Sequence, residues 1–308
     1  MTETGADESV SNGPARPPPE FPAATEPASG AGPAAPPRDL LRLGKVAAQV
    51  ARDEIVPLLG RARPERKEDG SLRTPVDEAA QRRLLEELAL GWPEIPVLGE
   101  ESPRYQQEAV LNGDGPYWCL DPLDGTSNFV AGLPFYGVSV ALVDHMGPRM
   151  GVVHDPVRQE TFGAVRGGGA WLDDTPLSPS ASGPVPPLHQ AMALVDFKRL
   201  PPALAARVAV EHPFRSQRNL GSSALEWCWV AAGRCHLYLH GSQSFWDWAA
   251  GWLILTEAGG AAYLEEGLGS GDGRDSPRPG LDGLAVTAAA SPSLLAEVRR
   301  WLGTVSLP

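Results

Sequence analysis

Trp118-Cys119-Leu120-Asp121-Pro122-Leu123-Asp124-Gly125-Thr126 is the stretch on which the reading of this chain turns. Tyr117 to Leu120 form an apolar run with strand character, and two carboxylates three residues apart follow it. Gly125-Thr126 ends the strand and lets a helix begin. Pro122 fixes the backbone between the acids, so both carboxylates can face one cavity. Carboxylates and carbonyls are the ligands that hard cations such as Mg2+ prefer. The free N–H groups of a helix start suit a phosphate. Metal ligands beside phosphate donors are the parts of a metal-dependent phosphatase. Asp, Pro and Gly are equally the residues of a tight turn, so the hexamer takes its weight from the segments that accompany it.

Upstream, Val97-Leu98-Gly99-Glu100-Glu101-Ser102 is a short apolar strand ending in paired acids. Thr74-Pro75-Val76-Asp77 carries helix-start chemistry, with Thr as N-cap, Pro at the first helical position and Asp at the third. Far downstream, Phe245-Trp246-Asp247-Trp248-Ala249-Ala250-Gly251 sets an acid at the start of an apolar helix whose small residues permit close approach. In this order the motifs resemble those of the inositol monophosphatase family of Mg2+-dependent, lithium-sensitive phosphatases. T-x-x-D stands at Thr74, G-E-E at Gly99, D-P-x-D-G-T at Asp121 and W-D-x-A-A-G at Trp246. The resemblance runs from about Asp39 to Gly303, and Gly132-Leu133-Pro134-Phe135 and Gly221-Ser222-Ser223-Ala224 fit it too. The acids of the hexamer stand three apart. That separates it from the aspartyl-phosphate phosphatases, whose D-x-D-G-T motif sets them two apart.

The resemblance implies an α/β fold, a layered α/β/α/β/α sandwich of the sugar-phosphatase type. Residues 39–308 would be the catalytic domain, with two close-packed lobes meeting near 185–190. It also implies two to three Mg2+ ions, with Mn2+ as a substitute. Metal one would take Glu100, Asp121 and the Leu123 carbonyl; metal two Asp121, Asp124 and Asp247; a weak third, Glu100 with waters. Asp77 and Thr126 would orient the attacking water, and Glu100 completes the catalytic set. The substrate phosphate would meet Leu123, Asp124, Gly125, Thr126 and Asp247, and its alcohol would face Gly221, Ser222, Ser223 and His240. Inositol phosphatases typically carry a glutamate where His240 stands, so the acceptor pattern toward a polyol is altered. Glu101 reads equally as solvated or structural.

The implied activity is hydrolysis of a small phosphorylated polyol or sugar by a metal-activated water, with no covalent phosphoenzyme. The alternatives on the same fold are 3'(2'),5'-bisphosphate nucleotidase, fructose-1,6-bisphosphatase and histidinol-phosphatase activity. A non-catalytic regulatory binding protein is the competing class, and the complete set of acids argues against it. A homodimer is implied as well.

Composition agrees. The chain of 308 residues can bury a large core, and its net charge of -12 argues against a nucleic-acid partner, which needs a basic face. Cys119, Cys228 and Cys235 lack C-x-x-C spacing and read as reduced thiols of a cytoplasmic protein. No apolar run reaches the ~20 residues of a membrane span. Residues 1–38, with nine prolines and few large apolar side chains, read as a disordered tail.

Helical spacing of Leu40, Leu43, Ala47, Val50, Ala51 and Ile55 predicts a first helix ending near Pro57, and a second is expected from Pro75 to Leu90. Further helices are expected at Ser223 to Ala232, Asp247 to Ala258 and Ser293 to Leu302. Strands are expected at Ile95 to Leu98, Tyr117 to Leu120, Gly137 to Val143 and Gly151 to Val153. Four more fall at Met192 to Val195, Cys235 to His240, Ala262 to Leu264 and Leu284 to Ala288. Gly267 to Gly280 reads as a surface loop.

Overall fold

The computed structural model describes residues 35–67, 70–181, 183–268, 274 and 279–303. The expected tail up to residue 34 lies outside the described residues, as does most of the loop expected over 267–280. Within that loop Arg274 pairs with Leu264 through N–H to O bonds of 2.7 and 3.1 Å.

The chain opens with α1 (Arg38–Val50), whose Leu40, Leu43, Ala47 and Val50 form one buried stripe. The stripe continues through a π-helical turn (Ala51–Ile55) before a 3-10 turn ends it at Leu58. A two-residue hairpin, β1 (Glu65–Arg66) and β2 (Leu72–Arg73), leads into α2 (Pro75–Gly91). Next come β3 (Val97–Gly99), α3 (Arg104–Leu111), β4 (Tyr117–Asp124) and the short α4 (Thr126–Ala131). Five antiparallel strands follow: β5 (Gly137–Asp144), β6 (Gly147–Asp155), β7 (Glu160–Val165), β8 (Gly169–Leu172) and β9 (Thr175–Pro176). The later part contributes β10 (Met192–Val195), α5 (Pro202–Glu211), β11 (Ser216–Arg218), α6 (Ser223–Ala231) and β12 (Leu237–Gln243). It ends with α7 (Phe245–Glu257), β13 (Ala261–Glu265), β14 (Leu284–Ala289) and α8 (Pro292–Gly303).

Strands β3 to β9 make a seven-stranded sheet in chain order, and β11-β10-β12-β14-β13 make a five-stranded one. Three apolar cores stack the layers. The first joins α1 and α2 to the outer face of the large sheet through residues such as Leu43, Leu84, Trp118 and Val152. The second sets α6 and α7 between the two sheets around Trp227, Trp248 and Leu253. The third closes α5 and α8 over the far face of the small sheet. The result is the expected α/β/α/β/α sandwich. The small residues of α7 do what their size permits: Gly251 lies so near Trp227 that an added Cβ would fall 2.5 Å from the Trp227 Cβ.

One expected boundary moves with consequence. β4 does not stop at Leu120 but runs to Asp124, with Asp121 opposite Ser139 and Asp124 opposite Gly137. Residues three apart on a regular strand point to opposite faces. Here one extra residue on β4 bulges the ladder between them, which returns Asp124 to the side of Asp121. The bulge, not a turn, brings the two carboxylates together.

Candidate metal and phosphate site

β3 and β4 run parallel with Gly99 level with Leu120, so Glu100, just past the end of β3, comes beside Asp121 within β4. Asp247 comes to the same point from α7. The carboxylate oxygens of Asp121, Asp124 and Asp247 lie within 4.8 Å of one another. Asp121 is 3% and Asp124 6% exposed. Asp121 accepts from the Leu123 N–H at 3.0 Å. Asp124 accepts from the Ser222 hydroxyl, the Ser223 N–H at 3.2 Å and the Ala224 N–H at 2.8 Å, which seats it on the start of α6. Asp247 accepts from the Ser244 N–H at 2.9 Å through one oxygen.

Burial, then repulsion from Glu100, Asp124 and Asp247, pushes Asp121 well above the usual carboxylate range. Asp247 is pushed up in the same way by burial and by Asp124 and Glu100, against the Ser244 N–H and Arg199. Asp124 rises to about 6 by burial, held there by its Ser222 and Ala224 donors. A buried, mutually repelling, all-oxygen donor set fits a hard divalent cation, in whose presence every one of these acids can ionise.

Asp77 sits behind this cluster. One of its oxygens accepts from the Thr74 N–H and hydroxyl, both at 2.7 Å, and the other from the Thr126 hydroxyl at 3.0 Å. The Thr126 hydroxyl also reaches the Leu123 carbonyl at 3.0 Å. Gly125 bridges β4 and α4 at φ 90°, where a side chain would be strained and would meet the Phe135 and Gly221 carbonyls at 3.1 and 3.2 Å. Glu100, Asp121, Leu123, Asp124, Gly125, Thr126 and Asp247 line a cavity of about 800 Å³, with Asp77 buried behind its wall, and the cavity also exposes Lys67, Arg104, Asp196, Lys198, Arg199 and Asn219.

The inositol monophosphatase family profile matches residues 40–297. The chain belongs to that family. It is 35% identical over 243 residues to an inositol-1-monophosphatase of Mycobacterium bovis, covering 76% of this chain and 80% of the relative. It is 36% identical over 193 residues to the Nus factor SuhB of Pasteurella multocida, covering 61% and 69%. Among solved structures, the extragenic suppressor protein suhB of Bartonella henselae superposes with a TM-score of 0.71 at 26% identity, over 86% of this chain and 98% of that one. An IMPase of Thermotoga maritima superposes with a TM-score of 0.69 at 27% identity, over 85% and 94%. As a member of the inositol monophosphatase family, the chain is a phosphatase.

Two expected positions, Ser222 and His240, sit differently from the expectation, while Glu100 sits against Asp121. Glu100 stands at the edge of the acid trio with its carboxylate 2.7 Å from the Lys67 ammonium. Ser222 is fully buried and its hydroxyl holds Asp124, so it positions an acid instead of meeting the substrate alcohol. Gly221 and Ser223 do line the cavity. His240 lines it too, but both ring nitrogens face protein groups. Nδ1 lies 3.2 Å from the Ser242 N–H and Nε2 3.4 Å from Asp196. It is a fixed wall, not a free acceptor for a sugar hydroxyl.

Glu101 is structural. Lys67 lies 2.5 Å from it, and burial with Glu100 repulsion brings it to about 7. Sequence reasoning missed Lys67, which no motif marks, and Glu226, a buried acid that rises to about 7 by burial. Glu226 accepts from the Leu220 N–H at 2.8 Å, while Asn128 holds the Leu220 carbonyl at 2.6 Å. Together they clamp the loop that carries Gly221.

Proposed function

We propose that the chain is a Mg2+-dependent phosphomonoesterase acting on a small phosphorylated polyol or sugar of inositol-phosphate type. The observation that carries this is the convergence of Asp121, Asp124 and Asp247 within 4.8 Å beside an open cavity, with no cation among the described residues in direct contact with all three. Glu100, Asp121, Asp124, Asp247 and the Leu123 carbonyl would hold the ions. When bound, Mg2+ supplies Lewis acidity toward the phosphoryl oxygens and acidifies the neighbouring water.

The chain's own groups do the rest. Thr126 can accept a hydrogen bond from the attacking water, because its own proton already points to Asp77 or to the Leu123 carbonyl. Asp77, fixed by Thr74, keeps that hydroxyl oriented. The backbone at Gly125 and Thr126 faces the phosphate. The departing alkoxide takes its proton from a water held at the second oxygen of Asp247. The inositol-1-monophosphatase relative supports an inositol-phosphate-like substrate, and the net charge of -12 supports a small metabolite over nucleic acid. The cytoplasmic homodimer and lithium sensitivity rest on the family resemblance.

A phosphate-release screen tests this with inositol 1-phosphate, fructose 1,6-bisphosphate, histidinol phosphate and 3'-phosphoadenosine 5'-phosphate, each with and without Mg2+. Mg2+-dependent release from at least one, replaceable by Mn2+ and suppressed by Li+, is expected. No Mg2+-dependent release from any of them defeats the proposal. The relatives named Nus factor SuhB favour a second reading, a regulatory binding role beside hydrolysis.

A further inference from the structure

Beyond the acid cluster, the cavity wall carries two cations that nothing in the catalytic reading uses. Lys198 and Arg199 follow β10 on the loop to α5, are exposed, and line the same cavity as Asp247 and Ser223. Among the described residues, no hydrogen bond or ion pair engages the Lys198 ammonium or the Arg199 guanidinium. The Arg199 charge acts on Asp247 and Asp196 without bonding either. Asp196, the nearest acid in sequence, faces His240 Nε2 and the Asn219 amide, each at 3.4 Å.

The loop that presents them is built, not loose. The Asp196 carboxylate accepts from the Lys198 N–H at 3.0 Å, and its carbonyl accepts from the Arg199 N–H at 3.1 Å, which makes a tight turn. The Asp196 N–H donates to the Leu239 carbonyl at 3.1 Å, tying the turn to β12. β12 is bulged between His240 and Gln243, and Gly241 in that bulge touches the Arg199 backbone so closely that a Cβ there would fall 1.7 Å from its carbonyl oxygen. A side chain at 241 would force the turn away from the cavity.

We propose that Lys198 and Arg199 form a subsite for a second anionic group, a phosphate, on the alcohol portion of the substrate. The inference rests on the phosphatase reading, and it narrows the substrate class to phosphorylated small alcohols bearing a further phosphate. The geometry divides the labour. The acids with their metal take the phosphate that is cleaved, and an unpaired ammonium and guanidinium remain for an anion that is not. An Arg fork and a Lys point charge are the side chains suited to a phosphate held without metal.

The test compares matched pairs: inositol 1-phosphate with inositol 1,4-bisphosphate, and fructose 1-phosphate with fructose 1,6-bisphosphate. The wild type should favour the bisphosphate of at least one pair by ~10-fold or more in kcat/KM, as a charge-assisted contact would give. In Lys198→Ala/Arg199→Ala that ratio should fall toward one, through KM, with Arg199→Lys recovering part of it. A wild-type ratio near one in both pairs, or a preference that survives in the double variant, overturns the subsite. Should neither compound of either pair be hydrolysed, the polyol- or sugar-phosphate reading fails on its own. Calorimetric binding of the same compounds in Mg2+ then decides the subsite: tighter bisphosphate binding lost in the double variant supports it, and equal affinities overturn it.

Discussion

Two helices of this enzyme start with the same local device and use it to opposite ends. At α2, Thr74-Pro75-Val76-Asp77 places an acid three residues after the cap, and at α7, Ser244-Phe245-Trp246-Asp247 does the same. In each, the acid accepts from the N–H of its own cap residue, at 2.7 Å for Asp77 and 2.9 Å for Asp247. Asp77 then collects two hydroxyl donors, so both oxygens are occupied by the protein. Among the described residues Asp247 collects none, and one of its oxygens lies within 4.8 Å of Asp121 and Asp124 oxygens. The cap fixes where the carboxylate stands; the count of further donors decides whether it can serve a ligand.

The largest expected effect separates the two at once. Asp247→Asn keeps an oxygen for the Ser244 N–H and removes one charge from the trio. Activity in Mg2+ should fall by about a thousandfold, the order of 4 kcal/mol, if the carboxylate is an ion ligand. The metal-free protein should melt no lower, and by sign it should melt higher. The folded Asp247 carboxyl sits above its unfolded range, so ionisation at neutral pH favours the unfolded chain, and the amide removes that penalty. Mg2+ should raise the Tm of the wild type by more than that of Asp247→Asn, which keeps only the ligands of the other ion. Full activity in the variant would return Asp247 to a capping role only.

This distinction was half legible in the sequence. Thr-Pro-x-Asp announced a capped helix, because Pro at the first position and Thr before it have no other common reading. At α7 the aromatic pair Phe245-Trp246 hid the cap, and the helix was expected to start two residues late, at Asp247. The layers were legible through the ordered motifs and the family resemblance they carry, and so was the grouping of Asp121, Asp124 and Asp247. Strands β7 and β8, helices α3 and α5 and the β4 bulge were not, since a bulge declares itself only against its partner strand. Lys67, Lys198 and Arg199 were missed for a related reason. An exposed cation has no local signature until the fold sets it on a cavity wall.

Glu226 sharpens the comparison from a third helix start, that of α6. It accepts from the Leu220 N–H as Asp77 accepts from Thr74, yet in the fold it rises to about 7, chiefly by burial, with Asp124 adding to the push. A raised acid contributes stability that is complete below its unfolded value and is lost as pH climbs through the folded one. Between pH of about 4.5 and 7 the wild type should therefore lose on the order of 2–3 kcal/mol on this account. Glu226→Gln, which still accepts from Leu220, should flatten that part of the Tm profile. A profile as steep as wild type would mean the loss arises at Glu101 or the acid trio.

The smallest effect is the most discriminating. Asp77→Asn is the same substitution at the same cap position as Asp247→Asn. Burial raises the Asp77 carboxyl too, against its Thr74 and Thr126 donors, so the amide again removes a charge penalty but here also loses charge-assisted bonds, and it should raise metal-free stability less than Asp247→Asn does. At Asp77 three donors converge, and an amide can satisfy them only by rotation of the Thr126 hydroxyl toward the Leu123 carbonyl, already 3.0 Å away. That rescue keeps the fold but trades charge-assisted bonds for neutral ones, at a cost of about 1–2 kcal/mol. It also turns the Thr126 hydroxyl and takes one of its two lone pairs for the amide, so the oxygen no longer meets the water in the orientation that Asp77 fixes, and kcat should fall with little change in KM. Thr126→Ser should retain most activity, since it keeps the hydroxyl. If Asp77→Asn raised the melting temperature as much as Asp247→Asn, its donors would not be offsetting its burial, and the two helix starts would differ in position alone.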